Sequence, residues 1–288
     1  MTTLAIVSPG AMGAALGRAW AAAGHRVVAT VDGRSARTRG LAHGLELLPC
    51  LADVVTTADV VVGVCPPAAA ARVLDQVMAA AGAARPLLVD LNAVAPDTVT
   101  DAEERARAAG FDLVDGSISG GPPRPGGDTM VYLSGHRAAE VAGLAADGIR
   151  TRVVGDRVGT ASAVKMCTGS VYKGTTALWA QALQTAYAEG VLDVVLDDLG
   201  EAYPEQVPGV GRRIALATSK AGRFVGEMEQ IAATQGAAGA SAELFTGMAA
   251  VYDRLSRTDL AALPPEQAAD LAELRVVLAR LADPSSAV

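Results

Sequence analysis

The sequence predicts an α/β first half, built on a doubly wound, mostly parallel sheet, and an all-α second half. Three observations carry this. Through the first half, short aliphatic and β-branched runs alternate with helical stretches, the pattern of parallel strands covered on both faces. Glycine- or proline-marked turns separate them. Beyond Val158 the strand-like runs stop, and helical periodicity dominates from residue 162 to 196. The expected domains are 1–157 and 158–288, joined near 155–159.

The first strand is read at residues 4–7, Leu-Ala-Ile-Val, the first helix at 14–24 and the second strand at 25–31. A short helix is expected at 37–42, an extended piece at 45–49 and another short helix at 52–58. Residues 59–65 form a strongly β-branched run that ends in Pro66-Pro67. An Ala-rich helix over 68–83 follows, with Pro67 near its start. Further strands are expected at 86–91, 111–116, 130–134 and 151–154, and a charged helix at 98–109. In the second half 212–217, 224–235, 241–255 and 265–282 read as helices, and 283–288 as a frayed end.

The turn after the first strand reads Ser8-Pro9-Gly10-Ala11-Met12-Gly13, a G-x-G-x-x-G pattern with Ser8 in the first glycine's place. Gly10 permits close approach of phosphates, and Gly13 permits close helix–strand packing. First-turn amides without internal partners, aligned with a helix dipole, suit a pyrophosphate. With a second strand directly behind it, the turn reads as the cofactor cradle of a Rossmann-type domain. The alternative is an ordinary glycine-containing βα turn.

The end of the second strand, Asp32-Gly33-Arg34-Ser35, is where such a domain chooses between a ribose hydroxyl and a 2′-phosphate. Asp32 favours NAD. Arg34 followed by Ser35, with Arg37 or Thr38 nearby, favours the phosphate of NADP, and NADP is the expected cofactor. The rigid Cys65-Pro66-Pro67 turn lies where the ribose and nicotinamide would lie, although a plain helix start explains it as well.

Residues 117–127 hold Gly120, Gly121, Gly126 and Gly127 with Pro122, Pro123 and Pro125, which argues against a helix or an inner strand. Exposed amides and hydroxyls in this segment suit a carboxylate or phosphate; the alternative is a surface loop without a ligand.

The composition narrows the function. The hydrophobic fraction is 51% and the aromatic fraction 3%, so the interior is built of Ala, Val and Leu. A net charge of -7 argues against a general nucleic-acid binder. Cys50, Cys65 and Cys167 are widely spaced, no metal-ligand spacing appears, and a reducing, cytoplasmic compartment is expected. No signal-peptide pattern opens the chain and no apolar run is long enough to span a bilayer, so no membrane partner is expected.

Lys165 sits near the start of the first long helix, among Ala161, Ala163, Val164, Met166 and Cys167. A lysine in such company is either a snorkelling surface residue or a partly desolvated amine usable as a general acid or base. Gly169, Tyr172 and Lys173 share its face by spacing. Gly169 leaves room for a substrate, and Lys173 would hold a substrate anion or lower the pKa of the first amine by like charge, unless it is simply solvated.

On these residues the chain resembles the 3-hydroxyisobutyrate/6-phosphogluconate dehydrogenase superfamily, the β-hydroxyacid dehydrogenases. The landmarks are Gly10-Ala11-Met12-Gly13, Arg34-Ser35, Pro66-Pro67, Asp90-Leu91-Asn92, Ser119-Gly120-Gly121 and Lys165, and they cover nearly the whole chain. The segments 115–126, 132–135 and 227–232 resemble a little-characterised branch whose C-terminal domain is only phosphogluconate-dehydrogenase-like. The resemblance implies that Ser119, Gly120 and Gly121 bind substrate, that Lys165 is the acid/base, and that Asn92 lies beside the nicotinamide. Gly169 stands where the family has an asparagine, and Gly226-Glu227 where many members have a Lys-Asp pair. Asp115-Gly116 and Tyr132-Leu133-Ser134-Gly135 also resemble imine reductases.

The expected function is an NADP(H)-dependent oxidoreductase acting on a small hydroxy- or oxo-acid-like molecule. The alternatives are C=N reduction and dinucleotide binding without turnover. A homodimer is expected from the family's habit of packing its helical domain against a partner subunit.

Overall fold

Strand and helix alternate from the N-terminus of the computed structural model, which describes residues 1–282. The order is β1 (Thr3–Ile6), α1 (Ala11–Ala22), β2 (Arg26–Ala29), α2 (Ala36–Leu41), β3 (Glu46–Leu47), α3 (Leu51–Thr57) and β4 (Val60–Gly63). It continues as α4 (Ala70–Ala80), β5 (Leu87–Asp90), α5 (Pro96–Ala108), β6 (Leu113–Ser119), β7 (Thr129–Ser134), α6 (Ala138–Ala142) and β8 (Ile149–Gly155). Eight strands form one sheet in the order β3-β2-β1-β4-β5-β6-β7-β8. Every neighbouring pair is parallel except β6 and β7.

The continuous apolar runs of the central strands reflect burial on both faces. In β1, Leu4 and Ile6 join a cluster with Leu16 and Trp20 of α1. Ala5 and Val7 point the other way, into a cluster with Val54 of α3 and Val73 of α4. Trp20 also donates its indole N–H to the Leu144 carbonyl at 3.1 Å, fixing α1 against the chain after α6.

The helical part comprises α7 (Thr160–Ala188), α8 (Leu192–Ala202), α9 (Val210–Thr218), α10 (Ala221–Ala237), α11 (Glu243–Ser256), α12 (Pro265–Asp270) and α13 (Leu274–Ala282). The chain divides into two units, Met1–Met166 and Cys167 onward, the division falling a short way into α7. Residues 155–159 are the link between β8 and that helix. In the second unit α10 packs along α11, with Met228, Ile231, Tyr252 and Leu255 buried.

Two sequence expectations are corrected here. Residues 117–119 belong to β6 rather than to an irregular loop, because their backbone pairs with β7 from Ser117↔Tyr132 to Ser119↔Met130. The expected helix over 265–282 is broken at 271–273. A Cβ at Gly211 of α9 would lie 2.8 Å from the Ala272 carbonyl and 2.9 Å from the Leu274 Cα. The backbone crosses α9 at that glycine, and Arg212 Nε donates to the Ala269 carbonyl at 3.0 Å. The close crossing and its polar contact favour a break over a continuous helix. The expected frayed end, 283–288, lies outside the described residues.

Candidate active site

The turn that opens α1 is set by backbone geometry. Gly10 N donates to the Ser8 carbonyl at 2.8 Å, and Ala14 N to the Gly10 carbonyl at 2.8 Å, which starts the helix. Gly10 is the N-cap and supplies no side chain to the first-turn amides. A Cβ there would meet nothing within 4 Å, so the space before the helix is open. Gly13 is the opposite case: a Cβ would lie 2.4 Å from the Ser8 carbonyl oxygen. Ser8 Oγ is buried without a hydrogen-bond partner. An open, uncapped helix N-terminus with a spare hydroxyl beside it fits a phosphate group.

Around the end of β2, Arg34 is half-buried and its Nη2 donates to the Val7 carbonyl at 3.4 Å. Ser35 Oγ caps α2, accepting from Thr38 N at 3.2 Å. Its hydroxyl is therefore engaged locally, and Arg34 is the cation beside the cavity. That cavity measures about 490 Å³ and is lined by Thr30, Asp32, Arg34, Leu51, Gln76 and Ala79. The sequence singled out Asp32 and Arg34 but missed Leu51 and Gln76, whose positions depend on how α3 and α4 pack.

After β4, Cys65 N donates to Asn92 Oδ1 at 2.6 Å, and Asn92 N donates to Asp90 Oδ1 at 2.7 Å. Asn92 is buried, so its carboxamide is a strut that holds the Cys65-Pro66-Pro67 turn. Burial pushes the Asp90 carboxyl up to about 6, the nearby Asp115 charge adding to it while the Asn92 bonds oppose it. Burial also lifts the Cys65 thiol to about 11, with the Asp90 charge in support, so this cysteine stays protonated at neutral pH.

Ser119 ends β6, and Gly120 follows with φ +113°, a conformation that favours glycine. Gly121 O accepts from Thr129 Oγ1 at 2.9 Å. The rest of the Gly/Pro segment is tied down elsewhere: Gly126 N donates to the Asp147 carboxylate at 3.1 Å.

Lys165 is partly buried, and its Nζ donates to the Ile118 carbonyl at 2.7 Å, the residue before Ser119. The first turns of α7 are held to the sheet by Asp115, a fully buried residue of β6. Its Oδ2 accepts from Gly159 N at 3.0 Å, Ser162 N at 3.0 Å and Ser134 Oγ at 2.9 Å. Its Oδ1 accepts from Ser162 Oγ at 2.7 Å. Ser134 Oγ in turn accepts from Ala161 N at 3.0 Å, and Ser117 Oγ donates to the Ala161 carbonyl at 2.7 Å. Sequence reasoning missed this network; the only signal was polar residues, Asp115 and Ser117, recurring on one face of a buried strand.

In the second unit Lys173 Nζ donates to Glu227 Oε2, and Arg223 Nε lies 3.1 Å from Glu227 Oε1. Both cations also sit over the Phe224 ring, Lys173 Nζ at 5.1 Å and Arg223 Cζ at 5.4 Å from its centroid. A Cβ at Gly169 would lie 3.7 Å from Lys173 Nζ, so the room left by this glycine adjoins the Lys173 amine. The sequence marked Glu227 only by its family position. It is buried because it shares a helix face with Phe224, Met228 and Ile231.

Residues 3–145 match the NAD-binding domain of 6-phosphogluconate dehydrogenase, and residues 186–255 match a domain of unknown function, DUF1932. A conserved hypothetical protein from Sinorhizobium meliloti 1021 is 27% identical, with 98% of this chain and 97% of that one covered and a TM-score of 0.67. The Mycobacterium tuberculosis 3-hydroxyisobutyrate dehydrogenase, solved with L-serine, is 21% identical over 98% of this chain and 100% of that one, with a TM-score of 0.67. A reductive aminase from Aspergillus terreus, in complex with NADPH and ethyl levulinate, is 19% identical over 94% and 99%, with a TM-score of 0.57. No curated protein matches the chain.

Proposed function

Since this chain belongs to the β-hydroxyacid dehydrogenase superfamily and is a dinucleotide-dependent oxidoreductase of that kind, we propose that it uses NADP(H) on a small hydroxy- or oxo-acid-like substrate, with Lys165 as general acid/base. The observation that carries this reading is the Lys165 amine, 2.7 Å from the Ile118 carbonyl at the threshold of Ser119-Gly120-Gly121.

When bound, a nicotinamide would supply the hydride chemistry, accepting or delivering two electrons together with one proton. The residues of this chain do the rest. Gly10 to Gly13 and the α1 N-terminus hold the pyrophosphate, and Arg34 meets the 2′-phosphate. The Cys65-Pro66-Pro67 turn, braced by Asn92, shapes the far end of the cofactor site. Ser119 with the Gly120 and Gly121 amides holds the substrate's carboxylate or an equivalent polar group. On oxidation Lys165 takes the hydroxyl proton as hydride leaves the same carbon; on reduction it returns that proton to the new alkoxide. Such proton transfer contributes roughly 10²–10⁴ in rate.

A second reading, C=N reduction, is motivated by Gly169, which places no polar side chain beside Lys173 to grip a hydroxy acid. NADPH oxidation measured against oxo acids, aldehydes and cyclic imines, for the native protein and Lys165→Ala, separates the readings. Oxo-acid or aldehyde turnover that collapses in Lys165→Ala, with NADPH binding intact, supports the first. Imine turnover that survives supports the second. Tight NADPH binding with no oxidation of any kind points to a sensor and sinks both.

We also propose a homodimer in a reducing, cytoplasmic setting. Val171, Tyr172 and Leu178 of α7 and Val194 of α8 are large, apolar and exposed, which is costly unless covered. The three cysteines are free thiols. A monomer mass by light scattering at micromolar concentration would contradict the dimer.

A further inference from the structure

We infer that Asp115 and Ser162 are positioning residues for Lys165, a clamp that sets the register of α7 on β6 and so the place of the amine. The inference rests on the acid/base reading of Lys165 and deepens it.

A helix N-terminus is ordinarily capped by the Ser, Thr, Asp or Asn that precedes it in sequence. Here the residue before α7 is Gly159, which has no side chain to offer. The carboxylate comes instead from Asp115, 44 positions earlier for its bond to Gly159 N and 47 for its bonds to Ser162. These donors are all buried groups, so each bond matters for satisfaction as well as for placement. Ser162 and Lys165 are three apart and share a helix face. The same strand that grips Ser162 through Asp115 receives Lys165 through the Ile118 carbonyl, again 47 positions back. Loss of the clamp lets the first turn of α7 shift or fray, and the Lys165 amine leaves the Ile118 carbonyl.

A merely structural role would lower stability without changing this amine selectively. The chain has three lysines, Lys165, Lys173 and Lys220, so each can be followed by mass spectrometry after brief acetylation with acetic anhydride. Lys173 and Lys220 are the internal references. In Ser162→Ala and Asp115→Asn, Lys165 acetylation relative to the references is expected to rise by about fivefold, the factor that one lost hydrogen bond leaves. Ser162→Thr, which keeps the hydroxyl, is expected to stay at the native rate. If Asp115→Asn does not fold, Ser162→Ala carries the test. Native-like Lys165 acetylation in folded Ser162→Ala, with only the melting temperature lowered, overturns the inference. So does a rise in Ser162→Thr equal to that in Ser162→Ala. Failure of the acid/base reading shows separately, as undiminished turnover in Lys165→Ala, whatever the labelling pattern.

Discussion

The Ser8 carbonyl oxygen and the α-carbon hydrogens of Gly13 face each other so closely that a Cβ at residue 13 would lie 2.4 Å from that oxygen. Backbone, not a flexible side chain, occupies the space, so neither partner can yield cheaply. Gly13→Ala is expected to cost about 1–3 kcal/mol in unfolding free energy and to abolish measurable NADPH binding. Gly10→Ala is its contrast, because nothing in the chain lies within 4 Å of the added methyl and φ is -72°. That variant should melt near the native temperature yet bind NADPH poorly, since the methyl fills the phosphate space. Chemical denaturation with fluorescence titration of both variants checks the pair.

Arg34 lines the cavity at the end of β2, where the proposed NADP reading puts the 2′-phosphate, while the Ser35 hydroxyl is occupied in capping α2. Arg34→Ala is expected to weaken NADPH by about 10- to 100-fold, the value of charge-assisted bonds to phosphate, and to leave NADH nearly unchanged. Ser35→Ala should act mainly through the cap, at about 1 kcal/mol of stability. Equal weakening of both cofactors by Arg34→Ala would remove the case for NADP.

Asp90 couples stability to pH. Its carboxyl is held at about 6 against an ordinary 3.8, so the native chain keeps a proton that the unfolded chain has already released. The stabilisation is therefore complete below the unfolded value and is lost as pH rises through 6, by about 3 kcal/mol in all. The difference in unfolding free energy between native protein and Asp90→Asn should fall by that amount between about pH 4 and pH 7, then level off. A difference that is flat across that range contradicts the assignment.

Glu227 neutralises a largely buried amine, with 14% of the Lys173 side chain and 6% of its own exposed. Glu227→Ala should destabilise by about 3 kcal/mol, because it leaves the Lys173 charge without its counter-ion. Lys173→Met combined with Glu227→Leu should recover to within about 1 kcal/mol of the native protein. Urea denaturation of the single and double variants measures the coupling directly.

The parallel strands were legible because burial on both faces writes itself as unbroken Val, Leu and Ile, as at residues 60–62 and 87–89. The glycine turn that opens α1 was legible because its glycines answer local steric demands. Long-range polar contacts leave no comparable trace. Nothing near Asp115 in sequence announces Ser162, and nothing near Lys173 announces Glu227. The strand character of Ser117 to Ser119 was hidden by the glycines and prolines directly after it. The break at 271–273 depends on Gly211, some sixty positions away, and periodicity within the helix itself carries no sign of it.

The opening turns of α7 furnish the donors that satisfy Asp115 and Ser134, so they belong to the interior of the sheet half as fully as any strand does. Trimming the chain ahead of Thr160 would remove both Ser162 donors to the buried Asp115 carboxylate and leave its Oδ1 unpaired, at about 1–3 kcal/mol for each group left unsatisfied. Anyone wishing to produce the N-terminal half alone must therefore carry the polypeptide past Lys165, and the severed end will be a helix rather than a loop.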